Sequence, residues 1–119
     1  MTAQMTITAA VALMHEDNTL TSVRVLWGGE PEWTGEVLMK YYPSPAKIEE
    51  LLERGDMLEL ERDAEHCSYC LDDIESWGDC LTKTHKSLAA AFAKYNDEVD
   101  YIYIYIYNSG KWYCHKFNE

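Results

Sequence analysis

Apolar positions along this chain change their spacing several times, and each change predicts an element. Residues 4–14 and 20–27 are rich in Thr, Val, Ile and Leu and are separated by Glu16-Asp17-Asn18. Asp and Asn favour turns because their side chains bond nearby backbone, so the two stretches read as an antiparallel hairpin. Trp27-Gly28-Gly29-Glu30-Pro31 breaks the strand, and Pro31 suits a first helical turn, where no backbone donor is needed. From Glu32 to Tyr42 the spacing is helical: Trp33, Val37 and Tyr41 lie four apart, and Leu38 and Tyr42 continue the face. Pro43 stops this helix. Ser44 and Pro45 start another as N-cap and first helical residue, Ile48, Leu51 and Leu52 form its stripe, and Gly55 ends it.

Met57, Leu58 and Leu60 suggest one short buried segment, and a final helix is expected over Lys83 to Tyr95, with Leu88, Phe92 and Tyr95 at helical spacing. Residues 99–107 form the clearest strand. Tyr101, Tyr103, Tyr105 and Tyr107 point one way, and Ile102, Ile104 and Ile106 the other. Asn108-Ser109-Gly110 makes the turn into a partner strand from Trp112 to Phe117. The resulting expectation is an α+β fold: a four-stranded antiparallel sheet built from two hairpins, with about three helices packed on one face. The 119 residues, without repeat, linker or low-complexity tract, are read as one domain over 1–119. The 101–107 strand is placed centrally in preference to the edge, where its uncharged Tyr/Ile alternation would invite pairing between chains as a homodimer.

Charge sharpens the picture. The net charge is −11, and between Glu49 and Asp79 twelve acids face only Arg54 and Arg62. Such a balance repels nucleic acid and anionic membrane and favours basic partners; the basic footprint of a nucleic-acid binder is missing. Apolar residues make up 47% of the chain, enough for a core, while no apolar run approaches the roughly 20 residues that span a bilayer. Met5 to Met14 resembles the apolar part of a signal peptide, but no Lys or Arg precedes it, so it reads as β-structure in a cytoplasmic protein.

Candidate chemistry is sparse. Cys67 and Cys70 stand in C-x₂-C spacing with Cys80 beyond, and Cys114, His115 or His85 could complete a zinc site, although the second pair of a full zinc module is missing. The competing readings are a disulfide, disfavoured in a cytoplasm, and free, partly buried cysteines. A redox role fits poorly among acids, which suppress the thiolate. Asp72-Asp73 and Glu30, Glu32 and Glu36 could hold a cation or act as acid and base, but no spacing specifically supports a hydrolase. No phosphate loop, His-Glu-x-x-His or serine elbow is present. The Tyr stripe, Tyr103 and Tyr105 at its centre, is either a structural layer or an aromatic docking surface. The acids Glu49, Glu50, Glu53, Glu59, Glu61, Asp63, Asp72, Asp73 and Glu75 are either a solvated face or a surface that imitates phosphates in a basic groove.

The block Trp27-Gly28-Gly29-Glu30-Pro31-Glu32-Trp33-Thr34-Gly35-Glu36-Val37-Leu38, with Tyr41-Tyr42 and the Gly55-Asp56 turn, resembles a family of small accessory proteins of tailed phages and prophages. Val99 to Tyr103 and Gly110 to Tyr113 resemble that family's closing hairpin, whereas residues 60–97 have no counterpart in it. The resemblance carries no catalytic residues. It implies a phage protein in the host bacterial cytoplasm, of a kind that includes inhibitors of host enzymes and anti-CRISPR proteins. The expected function is therefore non-enzymatic: inhibition of a host nucleic-acid-handling or defence complex, such as a CRISPR effector, through the acidic surface. The alternative is a small zinc-binding adaptor using Cys67, Cys70 and Cys80.

Overall fold

The computed structural model describes residues 7–69 and 81–117. Among these residues seven strands form one mixed sheet: β1 (Ala9–Met14), β2 (Leu20–Val25), β3 (Met57–Glu59), β4 (Ser68–Tyr69), β5 (Lys83–His85), β6 (Tyr101–Ile106) and β7 (Lys111–Lys116). Their order is β4-β3-β2-β1-β6-β7, and β5 pairs with β2. Among the described residues three α-helices accompany the sheet: α1 (Glu36–Tyr41), α2 (Pro45–Leu52) and α3 (Leu88–Tyr95).

The two expected hairpins are present. β1 and β2 pair antiparallel from Ala9↔Val25 to Met14↔Leu20, and β6 and β7 from Tyr101↔Lys116 to Ile106↔Lys111. The sheet is neither four-stranded nor wholly antiparallel, however. β1 runs parallel to β6, and β2 runs parallel to β3. β6 lies between β1 and β7, the central position preferred for it, and β7 forms one end of the sheet.

Helices cover both faces, which corrects the one-sided packing expected from the sequence. The reason lies in β1, whose sequence Ala-Ala-Val-Ala-Leu-Met is apolar at every position and buried throughout. A strand without polar alternation needs cover on each side. Ala9, Val11 and Leu13 meet Leu38, Tyr42, Ile48, Leu51 and Leu52 from α1 and α2. Ala10, Ala12 and Met14 meet Ala91 and Tyr95 from α3, together with Ile102, Ile104 and Phe117. β6 divides in the same way, its tyrosines entering the first core and its isoleucines the second.

The helix before Pro43 opens with a π-type turn over Pro31–Gly35, closed where the Glu36 N–H reaches the Pro31 carbonyl. Gly29 lets this turn sit against the sheet. A Cβ there would lie 2.8 Å from the Thr8 carbonyl carbon and 2.9 Å from the Ala9 nitrogen, so only glycine fits without displacing backbone. α2 follows the sequence pattern: Pro45 is its first residue, Ile48, Leu51 and Leu52 are buried, and each contributes roughly 2 kcal/mol by leaving water. Gly55, at φ 87, ends it in the left-handed conformation.

The expected helix from Lys83 to Tyr95 is a helix only in its second part. Lys83–His85 instead pairs with β2, Leu20 opposite His85 and Ser22 opposite Lys83. Ser87 then caps α3, its Oγ accepting the Ala90 N–H at 3.1 Å. The cap starts the helix by satisfying one of its free donors, and the residues before it are left extended. No helix among the described residues is long and apolar enough to cross a membrane.

Candidate functional site

The outer face of α2 carries the acids. Burying positions 48, 51 and 52 turns Glu49, Glu50 and Glu53 into solvent, and among the described residues none of the three pairs with Lys or Arg. Glu49 and Glu53 also line a groove of about 330 Å³ whose other walls include Leu13, His15 and Thr21. In that groove His15 Nε2 and Thr21 Oγ1 are hydrogen-bonded at 2.7 Å.

The acidic surface continues past β3. Glu59 and Glu65 are exposed and Glu61 is half-buried. Asp63 acts within its own turn. Its carboxylate accepts the His66 backbone N–H at 3.0 Å and meets His66 Nδ1 at 2.6 Å, closing Ala64–His66. The His66 contact holds the Asp63 carboxyl below its ordinary value. Asp56 differs from its neighbours, being 1% exposed and paired with Arg24. Arg54 does not neutralise the surface acids. It lies over the Tyr69 ring, 5.8 Å from the centroid, and its Nη1 reaches the Ala64 carbonyl at 3.4 Å. The further predicted acids Asp72, Asp73 and Glu75 lie outside the described residues, as do Cys70 and Cys80.

Cys67 belongs to the core. It is buried among Tyr42 and Tyr69, its Sγ accepts the Glu61 N–H at 3.2 Å, and burial pushes the thiol above its ordinary value. Cys114 sits on β7, at the opposite end of the sheet from β4 and its neighbour Cys67. Among the described residues no three His, Cys, Asp or Glu side chains gather as a metal-holding group.

The central tyrosines are interior residues. Tyr103 is 3% exposed and Tyr105 5%. The Tyr103 hydroxyl donates to the Gly29 carbonyl at 2.7 Å, and that of Tyr105 to the Pro43 carbonyl at 3.4 Å. Both rings are therefore mostly enclosed, although each still lines a groove, Tyr103 one of about 170 Å³ and Tyr105 one of about 290 Å³; the alternation in β6 marks a strand covered on both sides.

The open aromatics are elsewhere. Thr34, Leu38 and Tyr42 face the sheet; on the adjacent stripe Val37 and Tyr41 are half-buried against the margin of the core and Trp33 is exposed. The Trp33 ring is fixed by its Nε1–H, which donates to the Leu60 carbonyl at 3.0 Å, yet the residue remains 40% exposed. Grooves flank the stripe on two sides. One, of about 380 Å³, adds Glu61, Arg62 and His66; the other, of about 220 Å³, adds Glu32, Glu36 and Lys40. The spacing of Trp33, Val37 and Tyr41 is plain in the sequence, but it reads there as the buried face. The clue is a surplus: this helix has two neighbouring apolar stripes, and a short helix on a sheet buries one.

A polar cluster that the sequence does not reveal lies on the α3 side. Ser22, fully buried, bonds His85 Nε2 and the Tyr95 hydroxyl, each at 2.7 Å. Burial pushes the Tyr95 hydroxyl up to about 12 and the His85 imidazole below its ordinary value, the latter aided by Lys94 and Lys83. With the serine enclosed, this cluster ties β2, β5 and α3 together and presents no nucleophile to solvent. No family model, no curated protein and no solved structure matches this chain.

Proposed function

We propose that this chain is a binding protein that occupies a basic protein surface through the acids of α2 and the segment beyond β3. The observation that carries the reading is the state of Glu49, Glu50 and Glu53. They share one exposed helix face, take no internal cation among the described residues, and two of them rim a groove. Carboxylates placed in this way can receive guanidinium forks as phosphates do. The surplus of negative charge speeds encounter with a basic partner and makes binding weaken with salt. A groove that normally holds nucleic acid is the partner surface with matching chemistry. The likeness of the Trp27–Leu38 block to phage accessory proteins supports a host nucleic-acid-handling or defence complex, such as a CRISPR effector, as the target, and inhibition as the outcome.

The test is capture from bacterial lysate by the wild-type chain and by a Glu49→Lys/Glu50→Lys/Glu53→Lys variant of unchanged melting temperature. A nucleic-acid-binding complex retained by the first, released by moderate salt and lost by the second, is expected. Retention that is indifferent to the three reversals would overturn the reading.

A further inference from the structure

The stripe that runs from the Pro31–Gly35 turn onto α1 has its own chemistry. Trp33 presents an indole that is already oriented, its N–H committed to the Leu60 carbonyl at 3.0 Å and its surface 40% open. The ordering entropy of that ring is spent in folding and need not be lost again on binding. Carboxylates share the grooves that the ring lines. Glu32 and Glu36 share one flanking groove with the ring and Glu61 the other. Glu59 approaches from β3: one point, the position of a Cβ on Gly28, lies 3.2 Å from Trp33 Cδ1 and 3.7 Å from Glu59 Oε2. Against these four acids stand Arg62 in the groove with Glu61 and Lys40 in the groove with Glu32 and Glu36. Lys40 is turned onto Tyr41, its Nζ 5.4 Å from the ring centroid, so the far end of the stripe already holds a cation over an aromatic face.

We infer that the Trp33 ridge is an arginine-reading site, which takes an arginine side chain from an extended basic segment of a partner protein. The guanidinium plane stacks on the indole, and its N–H fork reaches a flanking carboxylate, Glu36 or Glu61. Two features favour arginine over lysine. A planar, weakly hydrated cation stacks on Trp better than an ammonium does, and only a fork can bond a carboxylate at two points while it stacks. The net negative charge around the ring favours either cation over an uncharged segment. This inference rests on the proposed binding of basic protein surfaces, and adds to it a contact that recognises a residue type as well as charge.

The probe is a pair of short peptides, Gly-Arg-Gly-Arg-Gly and Gly-Lys-Gly-Lys-Gly, titrated into the intact chain while indole N–H resonances are followed by NMR. The arginine peptide is expected to shift the Trp33 resonance and to bind about threefold to fivefold more tightly than the lysine peptide. Trp33→Leu should abolish that preference. Because Trp33→Leu also removes the bond to Leu60, Glu36→Gln/Glu61→Gln is the companion variant; it leaves the ring in place and should weaken the arginine peptide most. Equal binding of both peptides, binding of an uncharged Gly-Leu-Gly-Leu-Gly peptide to the same degree, or no movement at Trp33 would each overturn the inference. If the peptides fail while Glu49, Glu50 and Glu53 still govern lysate capture, the arginine site is wrong and the proposed function stands. If capture ignores those three acids but the arginine peptide binds at Trp33, the reverse holds.

Discussion

Arg24 holds Asp56 through three donors. Its backbone N–H meets Oδ1 at 2.7 Å, and its Nε and Nη2 meet Oδ2 at 2.8 and 2.7 Å. The carboxylate is 1% exposed and the guanidinium 24%. Burial pushes the Asp56 carboxyl above its ordinary value against the pull of these bonds, so the pair is better understood as fixing the start of β3 beside β2 than as a large net source of stability. Removing Asp56 takes a buried acceptor away from the Arg24 backbone N–H and guanidinium. Asp56→Ala is expected to destabilise the fold by about 3 kcal/mol. The double replacement Arg24→Met/Asp56→Leu should recover only part of that loss, because the backbone N–H of residue 24 still loses Oδ1 as acceptor, and urea denaturation of the single and double variants checks both.

Gly29 touches the sheet so closely that an added methyl must displace backbone. With contacts of 2.8 and 2.9 Å to Thr8 and Ala9, Gly29→Ala is expected to cost about 2 kcal/mol. The same change at exposed Gly110 should cost less, because its Cβ would find only the Tyr105 hydroxyl at 3.7 Å and the penalty is that of its φ of 68. Thermal melts of the two variants make the comparison.

Tyr103→Phe separates structure from docking. The change leaves the Gly29 carbonyl without the hydroxyl that it accepts at 2.7 Å, at a cost of about 1 kcal/mol. Capture of a partner should be unaffected, since the ring lies under α1. Lost capture at an unchanged melting temperature would contradict the placement of this residue in the interior.

His85 gives the fold a pH dependence of known sign. Its folded-state pKa is depressed below 6.5, first by burial and then by Lys94 and Lys83. A depressed folded pKa means that the unfolded chain binds the proton more readily. Its contribution is therefore present above 6.5 and lost as pH falls through the folded value. The melting temperature should decline from about pH 7 to about pH 5, and His85→Gln, which can still bond Ser22, should flatten that decline. A slope unchanged by the substitution would assign the effect to other groups.

Local chemistry made much of this fold legible in the sequence. The turn at Glu16-Asp17-Asn18, Pro45 and Gly55 around α2, and the β6–β7 hairpin are each dictated by residues close in the chain. What escaped were relations between distant segments. The parallel pairing of Ala9–Met14 with Tyr101–Ile106 joins strands with most of the chain between them, and hairpin signals carry no information about such a pairing. The uniform apolarity of β1 does announce cover on both faces, but at the N-terminus it also imitates a secretory segment. Lys83–His85 is extended because it completes an edge against β2, a demand that helical spacing in Leu88, Phe92 and Tyr95 hides. The site divides along the same line. The outward acids of α2 follow from its stripe, whereas Trp33 shows its open face only once Leu38 and Tyr42 are seen to take the core.

The most direct measurement of the central claim is competition. The complex captured by the wild-type chain is challenged with duplex and single-stranded nucleic acid at fixed ionic strength. Release by nucleic acid, together with failure of the Glu49→Lys/Glu50→Lys/Glu53→Lys variant to displace nucleic acid from the same complex, is the result predicted for a protein seated in a basic groove. Simultaneous binding of chain and nucleic acid, unaffected by the three reversals, would contradict it.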